Sequence, residues 1–293
     1  MPELPEVQTI VSDLDKVLPN LKIVGVWSDW KKTIKNPKNF SQFKKIILGK
    51  KIKDVKRRGK NILINLSDNT TLLIHQKMTG HMLYGLFELK QKKWIAKNPG
   101  PIKDDPQNRF IHLVFELSNG RQLALSDVRK FAKVLMVKTD ELKNLEDLKK
   151  IGPEPLEKSF TFKKFKEILK NKKGKIKNIL MNQEIIAGIG NIYASEILWD
   201  AGVHPLKNIQ KIKDNDLKKI YQSTKKILKI AIKMRGDSII DYRDAFGKKG
   251  KYQNFHKAYQ QNGEKCSKKD GGIIIRIKDS SRSAFFCPKH QKL

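Results

Sequence analysis

The chain has 293 residues, 39% of them hydrophobic, and its 62 lysines and arginines against 30 aspartates and glutamates give a formal net charge of +32. The apolar share is enough for packed cores in two domains, and the charge makes a polyanion the first partner to consider. The basic residues are spread through segments with apolar periodicity rather than gathered in a tail or an amphipathic membrane helix. That pattern favours nucleic acid over an anionic membrane. No stretch approaches the ~18–20 apolar residues of a membrane span and no signal peptide opens the chain, so a cytoplasmic protein is expected.

The chain opens Met1-Pro2-Glu3-Leu4-Pro5-Glu6. Removal of Met1 would leave Pro2 as a secondary amine beside the carboxylate of Glu3, a nucleophile next to an acid. An unperturbed α-amino group titrates at roughly 7.7–8.0 against about 10.4 for lysine, so more of it is neutral and nucleophilic near pH 7. Attack by such an amine on a sugar carbon gives an iminium, as a Schiff-base lysine does. The plainer reading is a chance Met-Pro start with Pro5 opening a helix, and the hexapeptide alone favours it.

Val7, Ile10, Val11, Leu14, Val17 and Leu18 then carry the spacing of a helix with one buried face. Short β-branched runs follow at 22–28, 51–55, 61–66, 71–76, 110–117 and 122–125, with Asn119-Gly120 as a hairpin turn between the last two. Residues 1–145 therefore read as a mostly antiparallel β domain carrying the first helix. Residues 146–155, ending in Ile151-Gly152-Pro153-Glu154-Pro155, read as a linker.

Across 156–254 the period becomes helical, with helices expected at 162–169, 176–181, 192–201 and 217–234. Within this region Ala187-Gly188-Ile189-Gly190-Asn191 leads into a helix N-terminus, where backbone N–H groups attract phosphate. Residues 236–254 are polar and glycine-punctuated and read as a mobile loop. The last segment, 255–293, returns to short strands around Cys266 and Cys287, an intracellular pair that reads as metal-binding rather than as a disulfide.

Six of these runs occur in the order found in the bacterial formamidopyrimidine-DNA glycosylase family. They are Pro2-Glu3-Leu4-Pro5-Glu6-Val7, Arg57-Arg58-Gly59-Lys60, Met78-Thr79-Gly80, Asp127-Val128-Arg129-Lys130-Phe131, Ile151 to Pro155, and Ala187 to Glu196. The resemblance covers nearly the whole chain. It implies an α+β fold: an antiparallel β-sandwich with a flanking helix, a helix-two-turn-helix domain, and a C-terminal β-hairpin finger that is a degenerate zinc finger.

By this resemblance Pro2 attacks C1′ of the damaged nucleotide and Glu3 protonates the sugar as its ring opens. Lys60 serves β-elimination and Arg282 δ-elimination, while Glu6 holds the pocket's water and base or simply favours the helix start. A glycosylase must take its base out of the stack, and Met78, Arg129 and Phe131 match the residues that fill the gap. Lys172, Asn191 and Arg282, with Lys177 as a weaker candidate, match phosphate contacts, which position a duplex without reading its sequence. Phe110 stands where the family has a DNA-contacting histidine, with His112 nearby.

The family's finger has four cysteines; here the corresponding positions are Cys266, Lys269, Cys287 and His290, with one residue more between the pairs. Histidine is a normal zinc ligand and lysine a poor one. Asp270 would complete the set of Cys266, Cys287 and His290 by a one-residue shift; otherwise the finger is a metal-free hairpin still presenting Arg282, which is the favoured expectation.

The resulting expectation is a monomeric base-excision enzyme, both glycosylase and AP lyase. It would remove 8-oxoguanine and formamidopyrimidines from double-stranded DNA through a proline iminium and then cleave by β,δ-elimination, with the 236–254 loop capping the lesion. It needs no cofactor beyond one structural Zn2+ if the finger binds it. The rivals are an endonuclease VIII-like enzyme for oxidised pyrimidines, a non-catalytic damaged-DNA-binding protein, and a basic RNA-binding protein whose salt-dependent binding shows no lesion preference.

Overall fold

Helix α1 spans Leu4–Val17, starting earlier than the apolar repeat alone indicates because Glu3 and Glu6 form a capping box and Pro5 fits the first turn. The computed structural model describes residues 1–279 and 282–293. Two units emerge, Met1–Lys149 with Met234–Lys251, and Lys150–Lys233 with Tyr252–Leu293.

In the first unit α1 is followed by β1 (Ile23–Ser28), β2 (Ile34–Asn36), α2 (Phe40–Ile47), β3 (Ile52–Arg58), β4 (Asn61–Leu66), β5 (Thr70–His75) and β6 (His81–Gly85). Then come β7 (Phe87–Lys90), β8 (Lys93–Ala96), α3 (Pro101–Asp104), β9 (Ile111–Leu117), β10 (Gln122–Ser126), β11 (Lys133–Lys138) and α4 (Glu146–Lys149). One sheet has the order β1-β9-β10-β6 and the other β2-β11-β5-β4-β3, while β7 and β8 form a separate hairpin. All pairings are antiparallel except β2 with β11.

Val7, Ile10 and Leu14 of α1 share one buried cluster with Phe43, Ile62, Ile74, Leu113, Phe115 and Val134. Burying each such side chain is worth about 1.5–3 kcal/mol, which makes this cluster the dominant local driving force. Sequence periodicity misses α2, β2, β6, β7, β8 and β11. Strand β6 is buried at all five positions, so it shows none of the alternation by which a half-buried strand is recognised.

The segment Met234–Lys251 belongs with the sandwich, a correction to placing 236–254 with the helices. Its ends meet through Lys251 N–H to Met234 O at 2.8 Å, and Ala245 O accepts from Tyr84 N–H at 2.7 Å. The segment carries no helix or strand, as expected of a loop, and these backbone contacts tie it to the sandwich.

In the second unit lie α5 (Phe162–Leu169), α6 (Ile176–Met181), α7 (Asn191–Ala201), α8 (Asp214–Lys233), β12 (Ile275–Asp279) and β13 (Arg282–Phe286). Helix α8 starts three residues before the expected Leu217 because Asp214 and Asp216 suit the positive end of the helix dipole. Strands β12 and β13 pair antiparallel from Ile275 with Phe286 to Asp279 with Arg282. Among the described residues, no helix is long and apolar enough to cross a membrane.

Candidate active site and nucleic-acid interface

Pro2 and Glu3 are buried where the chain enters α1. Glu3 N–H donates to Glu6 Oε2 at 2.7 Å, and Glu6 Oε1 accepts from Asp237 N–H at 2.8 Å. One buried carboxylate thus fixes the start of the chain on one side and the 234–251 segment on the other. Gly236 sits against it at φ +79°, and a Cβ there would lie 2.7 Å from Glu6 Oε1. Glycine is required on both counts.

Lys60 is buried on the turn between β3 and β4. Arg57 Nε donates to Gln8 Oε1 at 2.9 Å and its Nη1 to Gly59 O at 3.1 Å, which ties that turn to the first turns of α1. Across the sheet Asn61 pairs with His75. Burial, and then the charges of Lys77, Lys133 and Lys60, push the His75 imidazole down to about 4. Its Nδ1 accepts from Lys77 N–H at 3.0 Å, so the ring is neutral beside Lys60, Lys77 and a Lys133 that is paired with Asp147. Sequence reasoning passed over His75; the available signal was its place in the run His75-Gln76-Lys77-Met78.

Met78 and Phe131 are 41% and 52% exposed, unusual for large apolar side chains, and the Arg129 guanidinium lies 4.5 Å from the Phe131 ring centre. Buried Asp127 holds both loops. Its Oδ1 accepts from the Thr79 hydroxyl and, at 3.3 Å, from Arg129 N–H, and its Oδ2 accepts from Ala132 N–H at 2.7 Å. The structure therefore brings Met78, Arg129 and Phe131 together on one braced support. Phe110 is also exposed and its carbonyl accepts from Asp127 N–H at 2.8 Å, whereas His112 Nδ1 is paired with Asp29 at 2.9 Å.

In the second unit Gln183 shapes the turn before α7. Its Oε1 accepts from Gly188 N–H at 2.9 Å, and its Nε2 donates to Ile189 O at 2.7 Å and Met181 O at 2.8 Å. Asn191 follows as the first residue of α7, with its Oδ1 buried and without a hydrogen-bond partner among the described residues. Lys172 borders a hollow shared with Pro153, Glu184 and Ile185. Glu196, which the sequence did not single out, accepts from the N–H groups of Lys257, Ala258 and Tyr259 and so fixes the entry to the finger.

Arg282 opens β13, exposed, with its Nη1 3.9 Å from Met181 Sδ. Lys175 Nζ pairs with Asp279 at 2.7 Å and the buried Lys177 Nζ donates to Ser283 O, so both lysines hold the hairpin that carries Arg282.

Asp270, not Lys269, completes the finger cluster: one ligand atom each from Cys266, Asp270, Cys287 and His290 lies within 4.8 Å of every other. Cys266 Sγ to His290 Nδ1 is 3.7 Å and Cys287 Sγ to Asp270 Oδ2 is 3.4 Å. A tetrahedral zinc with bonds of about 2.3 Å to sulfur and 2.0–2.1 Å to nitrogen or oxygen requires edges of roughly 3.4–3.8 Å. The donor set suits zinc; Asp270 Oδ2 and His290 Nδ1, hydrogen-bonded at 2.6 Å, would have to separate to bind it. His290 Nε2 lies 3.3 Å from Trp199 O, and Gly272 N–H donates to Asp270 Oδ1 at 2.8 Å. Such outer contacts orient metal ligands. The Gly272 N–H, with His290 and Cys287, holds the Asp270 carboxyl down at about 2.

Comparison with known proteins places these features. Residues 1–134 match the formamidopyrimidine-DNA glycosylase N-terminal domain and residues 151–243 the formamidopyrimidine-DNA glycosylase H2TH domain. The formamidopyrimidine-DNA glycosylases of Pelotomaculum thermopropionicum and Lactococcus lactis subsp. cremoris are 38% and 36% identical, each over the full length of both chains. A solved complex of a Lactococcus lactis glycosylase variant with Fapy-dG-containing DNA is similar at TM-score 0.85 and 34% identity, covering 100% of both chains. The same organism's enzyme on abasic-site DNA is similar at TM-score 0.84 and 34% identity, covering 99% of this chain and 100% of that one. Full-length likeness in sequence and fold means that the chain belongs to the formamidopyrimidine-DNA glycosylase family.

Proposed function

We propose that the chain excises oxidised purines, 8-oxoguanine and formamidopyrimidines, from duplex DNA and then cleaves the strand as an AP lyase. Its family makes it a DNA glycosylase of base excision repair that acts on damaged bases in double-stranded DNA. The observation that carries the finer reading is the buried Pro2-Glu3 start, held by Glu6.

Once Met1 is removed, the Pro2 lone pair forms a bond to C1′ and the glycosidic bond breaks, its electron pair leaving with the base. Glu3 delivers a proton to O4′ as the C1′–O4′ bond opens and the iminium forms. Lys60 then serves the β-elimination that breaks the C3′–O bond, and Arg282 the δ-elimination at C5′. Met78 and Phe131 occupy the emptied stack while Arg129 meets the orphaned base. Asn191 and Lys172 contact phosphate. Cys266, Asp270, Cys287 and His290 would hold one structural Zn2+, which would stabilise the hairpin that presents Arg282.

Borohydride trapping on a duplex with 8-oxoguanine opposite cytosine tests this. Protein lacking Met1 is expected to give a covalent adduct at Pro2 that a Pro2→Gly variant loses. No adduct on this duplex or on an abasic one would overturn the lyase assignment.

A further inference from the structure

The stretch 238–242, with Ser238 and Tyr242 buried and Ile239 and Ile240 exposed at its tip, stands between two sets of anchors. On one side Gly236 packs on Glu6, and a Cβ on Gly250 would lie 2.1 Å from Gly236 O, so the neck is fully closed. On the other side the anchors come from the segment between β8 and β9. Arg243, 5% exposed, places Nε 2.6 Å from Asp105 Oδ2, and its Nη1 donates to Tyr242 O at 2.7 Å and Ile240 O at 3.3 Å. Asn108 donates to Pro101 O at 2.9 Å and to Gly247 O at 3.2 Å.

Its Oδ1 accepts from His81 Nε2 at 2.9 Å, which links the contact to β6. Gly247 is at φ +77°, and a Cβ there would meet Asn108 Nδ2 at 2.7 Å and Ile102 N at 2.8 Å. Between these anchors Ile240 is 63% exposed. A short stretch whose carbonyls are gripped by a buried guanidinium, and whose apolar side chain still faces outward, is shaped for contact with something else.

We infer that Asp105, acting through Arg243, is a positioning residue that holds residues 238–242 in one preformed shape against the displaced oxidised base. The inference rests on the proposed function: Asp237 and Gly236 are seated on Glu6 beside the Pro2-Glu3 start, which puts this stretch next to the nucleotide that Pro2 attacks. Asp105 does not touch substrate. It fixes the guanidinium, which fixes the carbonyls of Ile240 and Tyr242, so affinity for a base-bearing lesion depends on it and chemistry at the sugar does not. If the binding-competent shape falls to about a tenth of the population, apparent affinity falls about tenfold.

The test is single-turnover kinetics of full-length Met1-processed protein, comparing Asp105→Ala and Asp105→Glu with the unsubstituted chain. One duplex carries 8-oxoguanine opposite cytosine and the other a preformed abasic site; amide hydrogen exchange is followed over 238–247. For Asp105→Ala the half-saturating concentration on the 8-oxoguanine duplex should rise about tenfold with little change in maximal rate. Abasic cleavage should stay within about twofold and exchange over 238–247 should accelerate. Asp105→Glu should restore most of the loss.

Unchanged kinetics on both duplexes, or equal losses on both, overturns the inference. An unsubstituted protein inert on both duplexes overturns the proposed function instead. Exchange then decides whether Asp105 holds the stretch, and the inference fails if Asp105→Ala leaves exchange over 238–247 unaltered.

Discussion

Arg235→Met removes one cation from between two buried carboxylates. The guanidinium lies 2.5 Å from Asp13 Oδ2 and 2.5 Å from Asp244 Oδ2, with further contacts to the same two groups at 3.2 and 2.9 Å. The Asp13 and Asp244 side chains are 5% and 0% exposed, whereas that of Arg235 is 40% exposed. Breaking a fully buried pair costs about 3–5 kcal/mol. Solvent screening of the partly exposed guanidinium brings this down to about 2–3 kcal/mol.

With a urea slope of roughly 2 kcal/mol per M, the midpoint should fall by about 1–1.5 M at pH 7.5. Tryptophan fluorescence reports it, since Trp27, Trp30 and Trp94 of the chain's four tryptophans lie in the first unit. Burial already raises the Asp13 carboxyl, and Arg235 opposes that rise. In the variant its folded pKa climbs further above the unfolded value near 3.9, so the folded state binds the extra proton and regains stability as pH falls. The deficit should therefore shrink between pH 7.5 and pH 5. A midpoint shift under about 0.3 M, or an equal shift at both pH values, refutes the reasoning.

Metal analysis should find about one zinc per chain, and Asp270→Ala should lower zinc affinity while Lys269→Ala leaves it unchanged; the reverse order would restore Lys269 to the cluster. Acid should destabilise the first unit through His81, which burial pushes down to about 4. The unfolded histidine, near 6.5, binds its proton first, so stability is fully present above pH 6.5 and is lost as pH falls toward 4, by about 2 kcal/mol at pH 5. Urea midpoints at pH 7 and pH 5 measure this, and a His81→Gln variant with an equally steep dependence would exclude His81 as the cause.

The sequence by itself determined what depends on neighbours in the chain. The apolar repeat of α1, the Asn119-Gly120 turn and the glycines before α7 are local instructions, because period and turn chemistry act over a few residues. The six motif runs added the family, and with it the expectation of roles for Pro2, Glu3, Lys60, Met78, Arg129 and Phe131.

Tertiary structure decided what depends on distant partners. Segment 234–251 joins the sandwich because Glu6, Asp13, Tyr84, Asp105 and Asn108 offer it hydrogen bonds from up to 231 positions away. Asp270 rather than Lys269 enters the finger cluster because chain folding, not spacing, brings a carboxylate onto Cys287 and His290. His75 becomes a neutral ring among lysines only when β4 and β5 pair. A side chain's charge state and partners are set by burial and by groups that only folding brings near, and no reading of local pattern contains them.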